Sequence, residues 1–269
     1  MRVMKFATAL AGASLGSFAC SVAARAADLP SAAPPPPPVP IFTTWEFRAT
    51  AYVWASGVKG VLATVPPLPA ISVDASFGDV LKNLGGSLMG SFEAKYGRFI
   101  LFNDIMYTKL KPGVSRARGP LAVSVNIESS SLVGLAAAGY RVIDGGQFTL
   151  DVFAGVRGFY MDNDVSVRVA AGPFLRGQTF GETKSWLDAV GGVRMSYQFD
   201  EQWFAAAIGF AGGGASKYQW DIYGGAGYSF NLNWAAFAGY RAFKVNYQDS
   251  GFIYDILQHG PLFGVQYRW

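Results

Sequence analysis

The only histidine in the chain is His259, and Asp249, Ser250 and Asp255 stand a few residues before it. A hydroxyl, an imidazole and a carboxylate are the parts of a nucleophilic triad, in which the base activates the hydroxyl and the acid orients the base. No motif ties these four residues together, and a lone histidine in a loop is ordinarily a solvated side chain. The expected catalytic set is therefore empty. Metal ligation has less support still, because no His, Asp and Glu cluster has ligand spacing. No cofactor is implied.

A more regular set of charges falls on alternating stretches: Glu93, Lys95, Asp104, Asp151, Arg157, Asp188, Arg194, Asp221, Arg241 and Arg268. Acids and bases are balanced in it, so the groups can either pair with one another or line a path for a small solute. A second group, Lys109, Lys111, Arg116 and Arg118, gathers four cations beside Pro112-Gly113 and Gly119-Pro120. Clustered Lys and Arg suit a phosphate-bearing surface.

The elements that hold these charges read as strands. From Gln147 to Tyr160, Phe148, Leu150, Val152, Ala154, Val156 and Tyr160 share one face, while Gln147, Thr149, Asp151 and Arg157 take the other. From Lys184 to Phe199, Leu187, Ala189, Val193, Met195, Tyr197 and Phe199 oppose Lys184, Asp188, Arg194, Ser196 and Gln198. Side chains of a strand alternate between faces, so each such segment has an apolar and a polar side. The last residues behave the same way, with Phe263, Val265, Tyr267 and Trp269 on one face and Gly264, Gln266 and Arg268 on the other.

Hydrophobic residues make up 51% of the chain and charged residues only 15%, a high ratio for a soluble domain. Yet from Trp45 onward no stretch is long and apolar enough for a transmembrane helix. A closed barrel reconciles the two, because lipid-facing and lumen-facing residues alternate. The front end agrees. Arg2 and Lys5 precede the uncharged run Phe6 to Ala24, and Ala24-Arg25-Ala26 offers the small residues of a signal-peptidase site. Residues 1–26 read as a signal peptide, and residues 27–43, with Pro34 to Pro38, as a stiff periplasmic leader. Residues 44–269 form the barrel.

Cleavage after Ala26 would remove Arg2, Lys5 and Arg25, leaving 19 of the 22 bases against 18 acids. The basic balance thus belongs mostly to the signal peptide, and nucleic acid is not implied as a partner. Cys20 leaves with it, which excludes disulfides and thiol chemistry.

Short links at Tyr96-Gly97-Arg98, Asp144-Gly145-Gly146, Asp200-Glu201-Gln202 and Asn231-Leu232-Asn233 read as hairpin turns. Longer links fall near 111–123, 162–182 and 247–258; within the second, Val165 to Val169 and Leu175 to Phe180, joined through Ala171-Gly172-Pro173-Phe174, are expected to extend a hairpin above the membrane. Short periplasmic turns and long outer loops are the outer-membrane pattern. Aromatics flank the short turns: Tyr96 and Phe99, Tyr140 and Phe148, Tyr197 and Trp203, Tyr228 and Trp234, with Trp269 at the same level. Amphipathic rings settle at the lipid headgroup boundary.

The expected strands are 45–56, 86–96, 98–110, 124–142, 147–161, 183–199, 203–214, 217–231, 233–247 and 260–269. The fold class is therefore all-β, a closed antiparallel transmembrane barrel of about ten strands. Residues 57–84 leave twelve as the alternative, if Val58 to Thr64 and Ala70 to Phe77 both cross. Otherwise they form an outer hairpin.

Several pieces resemble a family known as predicted outer-membrane β-barrel proteins of Gram-negative bacteria. They are Ala51-Tyr52-Val53-Trp54-Ala55, Asp79-Val80-Leu81-Lys82-Asn83-Leu84, Gly90-Ser91-Phe92-Glu93-Ala94-Lys95-Tyr96-Gly97-Arg98, Ala238-Gly239-Tyr240-Arg241 and Gly260-Pro261-Leu262. Ala27-Asp28-Leu29-Pro30 resembles the mature start of alphaproteobacterial examples. The ending on Trp269 resembles the terminal strand that the outer-membrane assembly machinery reads. The resemblance implies an outer-membrane location and no settled activity.

In that location Lys109, Lys111, Arg116 and Arg118 would face lipopolysaccharide phosphates. The expected function is a non-enzymatic barrel with a closed or narrow lumen. A small-solute channel or a surface adhesin is the alternative, and a lipid-modifying enzyme built on His259 the weakest. Oligomeric state is not legible.

Overall fold

The computed structural model describes residues 44–65, 69–111, 113–118, 121–171 and 174–269. The expected signal peptide and leader lie outside the described residues. Thirteen strands and one short helix follow in chain order: β1 (Trp45–Trp54), β2 (Gly57–Ala63), β3 (Ile71–Ala75), α1 (Phe77–Lys82), β4 (Leu84–Tyr96), β5 (Phe99–Leu110) and β6 (Gly113–Arg118). Then come β7 (Leu121–Asp144), β8 (Phe148–Ala171), β9 (Phe174–Gln198), β10 (Trp203–Gly214), β11 (Tyr218–Ser229), β12 (Trp234–Asp249) and β13 (Phe252–Arg268).

Ten of these close into an antiparallel barrel in the order β1, β4, β5, β7, β8, β9, β10, β11, β12, β13. The last returns to the first, with Thr50 opposite Gln266 and Trp54 opposite Leu262. Closure removes the unpaired edge that hydrocarbon would not tolerate. The ten-strand expectation holds, and the twelve-strand alternative does not.

Residues 57–75 supply two of the three extra strands, and β6 is the third. β2 pairs with the first half of β13, and β3 pairs back onto β2. The β1–β2 break falls where Ala55 N donates to Pro261 O at 2.9 Å. Pro261 has no N–H to return, so the ladder lapses there. Gly260 lets the backbones approach: a Cβ on it would lie 2.1 Å from the Ala55 carbonyl oxygen. Helix α1 is started by a capping box, in which the Ser76 side chain accepts from Asp79 N while Asp79 accepts from Ser76. The Ser76 hydroxyl, which donates to the Asp79 carboxylate at 2.6 Å, and then the Ser76 N–H hold that carboxyl below its usual range.

Three expected boundaries need correction. The last strand starts at Phe252 rather than Gly260, so 247–258 is a hairpin around Ser250-Gly251 and not a long loop. Likewise the strands do not end at 161 and restart at 183: β8 and β9 run without a break into the hairpin expected above the membrane, paired up to Ala171 opposite Phe174. Residues 113–118 and 121–126 are paired strand as well. The sequence there alternates as in the membrane, Leu121, Val123, Val125 and Ile127 with Ala122, Ser124, Asn126 and Glu128.

Outward faces carry a continuous apolar belt, with Val53, Leu88, Leu101, Ile105, Val156, Leu187, Val193 and Ile222 all exposed. At its lower edge the girdle is built from rings paired across strands. Trp45 packs on Tyr96 at 5.1 Å, Phe99 on Tyr140 at 5.3 Å, Trp203 on Tyr228 at 5.1 Å and Trp234 on Tyr267 at 4.8 Å. Trp269 joins it against Phe47. At its upper edge Tyr107, Leu132 and Tyr160 stand in register. One step higher the outward residues are Lys109, Ser130, Asp162 and Thr183.

Crossing takes about 9–11 tilted residues, whereas β7, β8 and β9 have 24, 24 and 25. Their upper parts therefore rise as a β ribbon above the membrane, joined on one side by β6. Polar cross-strand pairs sit on it, including Thr183 to Asp162 at 2.8 Å and Ser166 with Thr179 at 3.0 Å.

Candidate functional site

The chemistry of this chain is gathered inside the barrel. In the outer half the lumen is packed with apolar side chains. Tyr247 stacks on Trp186 at 4.1 Å, Trp186 on Phe159 at 4.7 Å, and Phe159 on Phe243 at 6.2 Å, with nearly parallel planes. Phe252 at the β12–β13 tip folds in against Trp186 and Tyr247 and is fully buried, as is Val245. Offset stacks of this kind add attraction beyond area burial.

Beneath that plug lies a polar layer. Arg241 donates to Asp104 at 2.8 Å, to both oxygens of Asp221 at 2.9 and 2.7 Å, and to the Tyr52 hydroxyl at 2.9 Å. Tyr52 in turn donates to Asp104 at 2.7 Å. Arg157 donates to Asp221 at 2.8 Å and to Gln219 at 2.9 Å. Gln219 then donates to Asp188 at 3.0 Å, whose other oxygen accepts Ser216 N at 2.8 Å. Strands β1, β5, β8, β9, β11 and β12 are thereby tied across the lumen. Buried charges persist only when paired and hydrogen-bonded, and these are.

Guanidinium and ring planes alternate further along the axis. Arg157 sits 4.9 Å from the Phe243 centroid on one side and 5.8 Å from Phe210 on the other. Phe210 stacks with Phe102 and touches Phe153, and Arg194 lies 5.3 Å from the Phe153 ring. Cations over ring faces gain more when desolvated. Phe210 lies flat over Gly192, where a Cβ would come within 2.4 Å of its ring. The glycine is what lets the ring cover the neighbouring strand.

Nearest the periplasmic mouth is a second ionic layer. Arg194 bonds Glu93 and takes Asp151 with two nitrogens at 3.0 and 2.8 Å, while Arg141 donates to Asp151 at 2.8 Å. Below and beside this layer is a cavity of about 450 Å³, lined by Arg48, Thr50, Arg141, Ser196, Gln266 and Arg268 among others, and reaching the turn residues Asn231 to Asn233.

Eight of the ten charges read from the sequence fall in these layers: Glu93, Asp104, Asp151, Arg157, Asp188, Arg194, Asp221 and Arg241. Lys95 instead pairs with Glu46 at 3.1 Å near the rim. Arg268 lines the mouth and donates to the Leu232 carbonyl at 3.2 and 2.8 Å. Sequence reading passed over Arg48, Tyr52 and Arg141. For the first two, the signal was the alternation of Arg48, Thr50, Tyr52 and Trp54 along one strand. Arg141 was masked by an irregularity between Arg141 and Ile143 that breaks the period.

The triad does not assemble. Ser250 Oγ donates to Asp249 at 2.9 Å, Asp255 pairs with Lys244, and His259 Nδ1 meets the Tyr240 hydroxyl at 2.6 Å. His259 lies within β13, next to β2, and not in a loop. Among the described residues no cluster of His, Cys, Asp or Glu could hold a metal ion. Of the four cations, Lys109 and Lys111 share Glu128, and Arg116 and Arg118 lie on β6.

A closed ten-stranded barrel with an apolar belt, an aromatic girdle and short turns at the girdle end is an integral outer-membrane β-barrel protein. No protein-family model and no curated protein sequence matches the chain. Similar solved structures include the translocator domain of autotransporter NalP from Neisseria meningitidis, at 13% identity and TM-score 0.47, covering 83% of this chain and 88% of that one. Ail, the attachment invasion locus protein of Yersinia pestis, is 11% identical with TM-score 0.31, covering 84% and 98%. A Pseudomonas aeruginosa FadL homologue is 9% identical with TM-score 0.30, covering 85% and 90%.

Proposed function

We propose that the protein is a non-enzymatic outer-membrane barrel with a sealed lumen, acting as a membrane anchor for the structure above its outer rim. The observation that carries this reading is the continuous filling of the lumen, from Phe252 and Trp186 down to the Arg157, Asp221 and Arg241 layer. Open aqueous pores belong to barrels of sixteen strands or so, while small barrels are filled by side chains. Pure protein folded into planar bilayers is expected to show no step currents at moderate voltage. Regular step currents from the folded wild type would sink the sealed-lumen reading.

The ribbon of β6 to β9 favours a surface-interaction role for this anchor. Strands that only had to cross would stop near Tyr160 and Leu187, yet they continue in register well beyond. Replacing residues 162–182 with a two-residue Asn-Gly turn keeps the transmembrane spans and removes the ribbon's crest. The variant is expected to assemble in the outer membrane and to lose attachment of whole cells to surfaces or other cells. Unchanged attachment by the assembled variant would remove the interaction role.

A further inference from the structure

The periplasmic mouth contains a feature that the sealed lumen does not require. Where β13 closes on β1, Arg48 lies directly opposite Arg268. Like charges facing each other across two strands are destabilising unless something intervenes. Neither guanidinium has a hydrogen-bonded carboxylate among the described residues. The nearest to Arg48 is Glu93 Oε1 at 3.6 Å, and the other Glu93 oxygen is bonded to Arg194. Arg268 has only the neutral carbonyl of Leu232.

Two further observations point to a ligand. Arg48 Nε is buried and has no hydrogen-bond partner, which is a costly state for a charged donor. Both arginines line the cavity of about 450 Å³ at the mouth, ample for a small ion and its waters. Around that mouth Arg141 and Arg194 pair with Asp144, Asp151 and Glu93, so the acids there are engaged by other arginines. Lys95 and Glu46 cancel at the rim. Thr50 and Gln266, opposite one another on the same two strands, add neutral polar groups beside the pair.

We propose that Arg48 and Arg268 form a binding site for a phosphate-class oxyanion in the periplasmic vestibule. Planar guanidinium forks match tetrahedral oxyanions with paired N–H···O bonds, and two forks facing one cavity hold the ion between them. The bound ion relieves the repulsion across the closing strands and gives Arg48 Nε an acceptor. It is taken from the periplasmic side, because the outer half is packed shut.

The test uses the full-length barrel folded in neutral, phosphate-free detergent and titrated with inorganic phosphate, with heat-induced unfolding and calorimetry as readouts. A parallel arm places the barrel in phosphatidylcholine nanodiscs with and without phosphatidylglycerol, at zero free phosphate. Wild type is expected to bind saturably in at least one arm, and the responding arm distinguishes a free phosphate from a lipid headgroup. Affinity is expected to fall at least tenfold in Arg48→Gln and in Arg268→Gln, while Lys95→Gln binds as wild type does. Should Arg48→Gln fail to fold, Arg268→Gln, at the exposed rim, carries the test. Absence of saturable binding in both arms, or equal binding by Arg268→Gln, would overturn the site.

Discussion

Replacing Arg241 with methionine is expected to destabilise the barrel by about 3–5 kcal/mol, the usual cost of stranding a buried charge. Asp221 would keep Arg157, but Asp104 would keep only the Tyr52 hydroxyl. The loss is therefore concentrated on one carboxylate, and removing it is expected to restore most of the stability. The pair Arg241→Met with Asp104→Leu should be more stable than Arg241→Met alone, because two apolar side chains can replace an ion pair at small net cost. Urea unfolding of the protein in lipid vesicles, followed by tryptophan fluorescence, measures both. If Arg241→Met alone unfolds at the wild-type urea concentration, the central layer does not contribute as argued.

The second large effect is on permeability. Trp186→Ala combined with Phe243→Ala takes the second and the lowest of the four stacked rings away. Each change costs on the order of 3–5 kcal/mol by analogy with large-to-small changes in packed cores. Together they are expected to connect the outer face with the polar layer and the vestibule. Small step currents should then appear in planar bilayers where the wild type shows none. Silence from the folded double variant would show that the seal lies instead at the Arg157, Asp221 and Arg241 layer. Trp186 also donates to Ser216 Oγ at 2.9 Å, so Trp186→Phe, which keeps the ring and loses that bond, should stay silent and isolate the packing contribution.

Much of the frame was legible in the chain itself. Period-two alternation is a local property, so Leu187, Val193 and Tyr197 could be assigned to one face and Asp188 and Arg194 to the other without knowing any partner strand. The girdle was legible for the same reason, because Tyr96, Tyr197 and Trp234 each stand beside a short turn. The lengths of β8 and β9 were not. Val165 to Val169 and Leu175 to Phe180 were legible as a hairpin above the membrane, but its unbroken continuation from the membrane-crossing strands depends on pairing between strands, which no local pattern carries.

What the sequence determined by itself was orientation: which side chains meet lipid, which turn inward, and where the chain reverses at the girdle end. What only the tertiary structure decided was who meets whom inside. Tyr52, Asp104 and Arg241 lie far apart in the chain and touch because the register of ten strands brings them to one height. The same register places Arg48 opposite Arg268 where the barrel closes. A strand's alternation sets the direction of each side chain, but contact across a lumen depends on circumference, tilt and register, which exist only once the sheet has closed.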